Sequence, residues 1–294
     1  TIPGLEKVKV LQYGYAVEYD FCQPTQLRSN LMTQAVDGLF LAGQINGTSG
    51  YEEAAAQGLF AGLNACRYID GQEPVHMPRH ESYMGVLVDD LVTKGVDEPY
   101  RLFTSRAEHR LVLRESNAEQ RLAAKAYSLG LIDASRWHRA EKREEERQNL
   151  ASWLRSEKAD GDCLQRLGLS SATLQSTLLA DLLKRPEIKP GQLVTGDWSR
   201  ACLEQVAEEI KYAGYIAREI KEVERLQSTE EVRLNPQADY KDLPGLSREI
   251  QDKLERVRPE TLGQASRIPG MTPAAIALLR VTSFVAGKTR NSFT

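Results

Sequence analysis

The chain has 294 residues and 32.9 kDa, with 38 Lys plus Arg against 41 Asp plus Glu, a formal net charge of −3 and 41% hydrophobic residues. That balance excludes a wholesale polybasic nucleic-acid binder but leaves room for a local basic surface. No run approaches about 18 consecutive apolar residues, so no membrane span is expected, and the length suggests two or three domains. The opening Thr1-Ile2-Pro3-Gly4 carries neither an initiator Met nor a secretory leader, so the chain reads as a cytoplasmic protein and a possible fragment.

Composition shifts near residue 75, from a Gly-rich stretch with many β-formers to one rich in Leu, Ala, Glu, Arg and Gln. In chain order, Gly38 to Leu41 reads as a short buried strand. A polar Gly loop follows, then a helix with Ala54, Gly58, Ala61, Gly62 and Ala65 on a small-residue face. Tyr83 to Val92 is apolar around Asp89-Asp90, and Arg110 to Arg114 alternates like a short strand. Ser116-Asn117-Ala118-Glu119 spells a capping box for a helix running to about Leu129, where Gly130 stops it.

A charged helix is expected from about Ser135 to Glu157, and a shorter one from Thr173 to Leu183. The longest should span about Ser199 to Gln227, with Val206, Ile210, Ala213, Ala217, Ile220 and Val223 forming one apolar stripe. Asn235-Pro236 closes it. The last segment repeats a Pro-Gly turn, Leu243-Pro244-Gly245-Leu246-Ser247 and Ile268-Pro269-Gly270-Met271-Thr272, each before a helical pattern. Such turns resemble helix-hairpin-helix modules, whose helix N-termini take phosphates. Two well-made turns in a helical bundle are the plainer account of the pattern.

Cys22, Cys66, Cys163 and Cys202 are far apart, and Pro78 lies between His76 and His80. Neither pattern has metal-ligand spacing, so no metal site is expected and the thiols read as buried or idle. The loop Gly43-Gln44-Ile45-Asn46-Gly47-Thr48-Ser49-Gly50 is more informative. A strand ending in Gly before a helix N-terminus suits a polar or anionic ligand, and the Gln44 amide suits ribityl hydroxyls or a flavin edge. No G-x-G-x-x-G occurs, so the ADP-binding half of a dinucleotide site is missing.

The run Ala42 to Gly58 resembles the signature of the MnmG family, formerly glucose-inhibited division protein A, which modifies tRNA uridines. Three further blocks agree in family order: Pro99 to Leu111, Lys211-Tyr212-Ala213-Gly214-Tyr215-Ile216, and Gly263 to Ile276. The resemblance implies a mostly α-helical chain. Residues 1–75 would be a remnant of an α/β FAD-binding domain, 76–234 an α-helical domain, and 235–294 a small helical subdomain for tRNA or partner binding. It also implies that the glycine fingerprint and catalytic cysteines lie upstream, so no nucleophile is assigned. The family chemistry is FAD-dependent modification of the wobble uridine, with NADH and methylenetetrahydrofolate as co-substrates. A homodimer working with the GTPase MnmE is the implied assembly.

By position, Gln44 would contact FAD, with Gly43, Asn46, Gly47 and Thr48 lining it. For tRNA the candidates are Arg101, Arg106 and Arg110, with Arg114 continuing their ladder, because guanidinium holds phosphate bidentately and stacks on bases. Ion pairs with Glu98, Glu108 and Glu115 are the plain alternative. Lys211, Tyr215 and Arg218 share a helix face, with Tyr212 beside them. Gln264, Arg267, Lys288 and Arg290 make the final segment basic. The contrasting reading is a non-catalytic RNA- and protein-binding module.

Overall fold

The computed structural model describes residues 2–14, 18–169, 176–194, 196–230, 232–235, 237–241 and 243–281. Lys288, Arg290 and the start of the helix expected at Thr173 lie outside the described residues. The chain is mostly helical, as expected. Among the described residues before the first helix, strand-like pairing is confined to isolated bridges: Leu27 with Thr33, Met32 with Phe40 and Thr48 with Tyr100. The strand expected at Gly38 to Leu41 is therefore reduced to a single pairing, because a ladder needs neighbours that the described residues do not supply.

α1 (Tyr51–Ile69) and α2 (Tyr83–Lys94) carry the first core, where Phe60, Val88 and Val92 meet Leu27, Leu31 and Val75. The Ser82 hydroxyl caps α2 by accepting from the Gly85 amide at 2.9 Å. Every residue from Gly85 to Thr93 is buried, so α2 is a central helix despite its two aspartates. A Cβ at Gly85 would stand 2.3 Å from the Pro78 carbonyl oxygen, which is why the preceding chain can cross so close to the helix.

α3 (Ala118–Ser128) stops before Gly130 as expected, with the Leu131 amide reaching the Ala126 carbonyl at 2.9 Å. The capping box does not form. Ser116 donates instead to Glu208 at 2.7 Å, and Glu119 takes Arg143 at 2.9 Å, so tertiary partners outcompete the local pair. Arg110 to Val112 is a turn rather than a strand, closed by Val112 and Leu113 amides donating to the His109 carbonyl.

α4 (Ala134–Ser156), α5 (Gly161–Arg166), α6 (Leu179–Leu183), α7 (Pro190–Leu193) and α8 (Arg200–Glu230) enclose a second core. Leu150, Leu154, Leu182, Leu183, Leu193 and Val206 are its deepest members. The stripe expected along α8 is buried only over its first half. Val206 and Ile210 are inside, whereas Ala213, Ala217 and Ile220 are exposed. The other helices of that core end there, so the rest of α8 runs on beyond them.

α9 (Arg248–Val257), α10 (Leu262–Arg267) and α11 (Pro273–Val281) form a third core around Tyr240, Leu254, Leu262 and Leu279. Gly245 and Gly270 both take left-handed φ, at 89° and 88°, so the repeated turns exist as read. Ser247 and Thr272 cap the helices that follow, accepting from Ile250 and Ala275 amides. The sequence reading missed α10, whose cap is Thr261.

Two aspartates on α2 tie these parts together. Asp90 accepts from Arg79 at 2.8 Å, Lys94 at 2.6 Å and the Tyr100 hydroxyl at 2.9 Å. Asp89 accepts from Arg79 at 3.1 Å and takes the fork of Arg267 at 2.6 and 2.8 Å. Arg267 also reaches Glu230 at the end of α8. Arg79 is itself held by Glu108 at 2.7 Å. Burial works against the Asp90 charge, but Lys94 and Arg79 outweigh it and hold the carboxyl below the usual range. The same contest leaves the Arg79 guanidinium above its ordinary value, with Glu108, Asp89 and Asp90 overcoming burial.

Ser82→Ala should cost about 1 kcal/mol in urea denaturation, whereas Ser116→Ala should stay within about 0.5 kcal/mol. Arg267→Ala leaves the buried Asp89 with Arg79 alone and should cost about 3 kcal/mol. Because the Asp90 pKa is depressed by folding, its stabilisation is full above the unfolded carboxyl value near 3.9 and lost as pH falls through the lower folded value. Urea midpoints at pH 7, 4 and 3 should therefore fall less steeply for Asp90→Asn, from a lower start.

Candidate functional site

The Gly loop is built around one side chain, Gln57 of α1. Its carbonyl oxygen accepts from the Gly43 amide at 3.1 Å and from Asn46 Nδ2 at 2.8 Å. Its amide donates to Thr48 Oγ1 at 2.9 Å, and Thr48 in turn donates to the Gly43 carbonyl at 2.8 Å. Gly43, Asn46, Gly47 and Thr48 are all buried and shape the loop, while Gln44 and Ser49 face outward. Gly47 needs to be Gly: φ is 78°, and a Cβ would stand 2.5 Å from Val96. Sequence reasoning missed Gln57, although its place in the loop-and-helix signature was the available signal.

Glu53 closes the loop toward the following segment. One oxygen accepts from the Leu102 amide at 2.9 Å and from Arg101 at 3.2 Å. Burial opposes its charge, yet these donors hold the carboxyl below its usual range. Glu53 Oε2 and Asn46 Oδ1 are buried with no hydrogen-bond partner among the described residues. The exposed Gln44 amide carries both a donor and an acceptor, residue chemistry that suits a ligand edge with N–H and C=O groups such as a flavin's.

The arginines expected as a ladder do not share a face. Arg101 is half-exposed beside Glu53. Arg106 lies 4.4 Å over the Tyr100 ring, donates to the Arg101 carbonyl at 2.8 Å and stands 3.9 Å from Asp90. Arg114 is nearly buried, 3.6 Å from Glu208. Arg110 is exposed and makes no ion pair among the described residues. The Glu98 and Glu115 pairings do not occur there either, and Glu108 takes Arg79. Tyr100 donates its amide to the Gly47 carbonyl at 2.8 Å, so this segment is stitched to the Gly loop.

The α8 face is different. Lys211, Tyr212, Tyr215 and Arg218 are all exposed, with the Arg218 guanidinium 5.9 Å from the Tyr215 ring centre. Between them and the end of the helix, Glu219 Oε2 accepts the Leu111 and Val112 amides, both at 3.1 Å. The turn carrying Arg110 is thereby docked beside the aromatic face. Gln264 and Arg267 do not join that surface. Gln264 accepts from the Glu260 amide at 2.7 Å, and Arg267 is committed to Asp89 and Glu230.

Cys163 and Cys202 are buried, and burial pushes the Cys202 thiol up to about 11. Among the described residues no three His, Cys, Asp or Glu groups converge as a metal site.

Family models match three stretches of the chain. "Glucose inhibited division protein A" covers residues 1–73, "tRNA modifying enzyme MnmG/GidA C-terminal helical domain" 134–220, and the corresponding "C-terminal helical bundle" 222–291. A relative from Syntrophotalea carbinolica, named tRNA uridine 5-carboxymethylaminomethyl modification enzyme MnmG, is 48% identical over 290 residues, covering 96% of this chain and 46% of its own. A relative of the same name from Geotalea uraniireducens is 46% identical over 292 residues, with the same coverage. The chain thus spans about half the length of the curated relatives it matches. Aquifex aeolicus GidA in its form II crystal superposes with a TM-score of 0.79 at 41% identity, over 95% of this chain and 45% of that one. Its form I crystal gives 0.75 at 40% identity, over 89% and 42%. With the Gly loop and the helical blocks in the same order along the chain, these matches establish that it belongs to the MnmG/GidA family.

Proposed function

We propose that this chain supplies part of the flavin site and the tRNA- and partner-binding helices of an FAD-dependent enzyme that modifies the wobble uridine of tRNA. Its division at residues 75 and 234 follows the same reading. The observation that carries it is the bare stretch of α8. A helix whose first half is packed leaves Lys211, Tyr212, Tyr215 and Arg218 open, two cations and two rings on a rigid rod. Phosphates and unstacked bases complement that pairing. Arg110 adds a third open cation beside it.

On this reading Gln44 holds the flavin edge, while Gly43, Asn46, Gly47 and Thr48 keep the loop in shape. FAD, when bound, supplies electron transfer from NADH, and methylenetetrahydrofolate supplies the carbon. The exposed apolar residues Ile2, Leu5, Val8, Leu39 and Ile69 suit a seam with the rest of a flavin domain. MnmE, a second copy of the enzyme and a cytoplasmic setting complete the assignment. No helix among the described residues is long and apolar enough to cross a membrane.

A second reading is favoured by length. The chain spans about half the length of the curated relatives it matches, and by itself it would be a non-catalytic RNA- and protein-binding module. Flavin absorbance in the purified chain mixed with FAD, and its loss in Gln44→Ala, supports the first reading. A chain that shifts tRNA without any flavin band supports the second. In gel shifts, Lys211→Glu with Arg218→Glu should weaken tRNA binding at least tenfold and flatten the salt slope by about 2. Unchanged binding would remove α8 from the interface.

A further inference from the structure

A cleft of about 630 Å³ opens between α2, the end of α8 and α10. Its volume is that of an ordinary small-ligand site. It shares no lining residue with the Gly43 to Ser49 loop, so it is a separate place. Three histidines, His76, His80 and His109, line it together with Gln227, Arg233 and Gln264. Val88, Val223 and Leu226 supply apolar wall.

One of these groups is out of balance. His109 is 7% exposed, and its Nδ1 is buried with no hydrogen-bond partner among the described residues. A buried polar atom left unpaired destabilises the fold and asks for a partner that arrives from outside. Arg233 is exposed, and its guanidinium is unpaired among the described residues. His76 differs, since its ring meets Ser29 Oγ at 3.0 Å and stands 3.8 Å from Glu260. Asp89, Glu108, Glu230 and Glu260 also line the cleft, the first three paired with Arg79 or Arg267 and the last accepting from Ser29. Beyond those paired charges the cleft offers flat imidazoles, one unanswered ring nitrogen, two side-chain amides and the unpaired Arg233. That set matches a nucleotide: a base to stack and hydrogen-bond, and a phosphate for the guanidinium.

Continuity points to the source of that nucleotide. Tyr212, Tyr215, Glu219, Val223, Leu226 and Glu230 succeed one another at three- and four-residue spacing, so they form one stripe of α8. The exposed tyrosines are at one end of the stripe and the cleft at the other. From Tyr215 to Leu226 the rise is about 16 Å. The turn docked on Glu219 carries the exposed Arg110 and places His109 in the cleft wall.

We propose that this cleft receives a nucleotide splayed out from the same single-stranded RNA segment that lies along α8, with His109 reading the base edge and Arg233 holding the phosphate. The proposal rests on the RNA-binding reading above and names a second recognition point within it.

The test titrates this chain with a labelled single-stranded RNA of about ten nucleotides, and with the same RNA annealed to its complement. His109→Leu should weaken single-strand binding at least tenfold and leave duplex binding unchanged. It should also raise Tm by about 2–4 °C, because an unpaired buried nitrogen has been removed. Arg233→Gln, on an exposed residue that the fold does not need, should weaken single-strand binding and flatten its salt slope by about 1. If Lys211→Glu with Arg218→Glu abolishes binding while both cleft variants bind like the unaltered chain, the cleft proposal is overturned and the α8 interface stands. If the unaltered chain binds neither RNA, both fail together.

Discussion

Everything in this molecule is hung on a pair of adjacent aspartates buried in an otherwise apolar helix. Two neighbouring carboxylates out of water repel each other and lose their hydration, so they persist only where cations surround them. Arg79 sits between Asp89 and Asp90, with Lys94 on Asp90 and Arg267 on Asp89 supplying the further positive charge. On one side Asp90 holds Tyr100, whose backbone holds Gly47 and so the Gly loop. On the other, Asp89 takes Arg267, which brings in α10 and the end of α8. The candidate flavin loop and the C-terminal bundle are thus positioned from two adjacent residues of one turn of α2.

That arrangement explains why some cations are unavailable for a ligand and others are free. Arg79, Arg106, Arg114 and Arg267 face carboxylates nearby and are engaged by them. Lys211, Arg218, Arg110 and Arg233 face outward, beyond the reach of the acidic residues that hold the others. Positive charge on this mildly acidic chain is therefore split into an internal set that holds the fold together and an external set along α8. The external set lies where the helix leaves its core, so its rings and cations are displayed on a rigid element.

Local rules read from the residues succeeded wherever the competing partner was also local. Gly130 stops α3, and the two Pro-Gly turns recur, because a left-handed glycine is settled by a few neighbouring atoms. They failed where distant groups offered more. Ser116 and Glu119 spell a cap, but Glu208 and Arg143, far along the chain, take them. The Arg101 to Arg114 spacing suggested one basic face, yet Glu53, Asp90 and Glu208 draw those side chains in different directions. The periodicity of α8 held for Val206 and Ile210 but was silent on where its cover ends.

From sequence alone came the family resemblance, the helical character, the capped turns and the identity of the loop before α1, since each depends on residue types at short spacing. Tertiary structure decided that Gln57 builds that loop and that Arg267 is a tie rather than an open cation. It also decided that three histidines with no motif between them face one cleft. Those outcomes depend on which distant side chains a fold brings within about 3 Å, and spacing along a chain does not encode that.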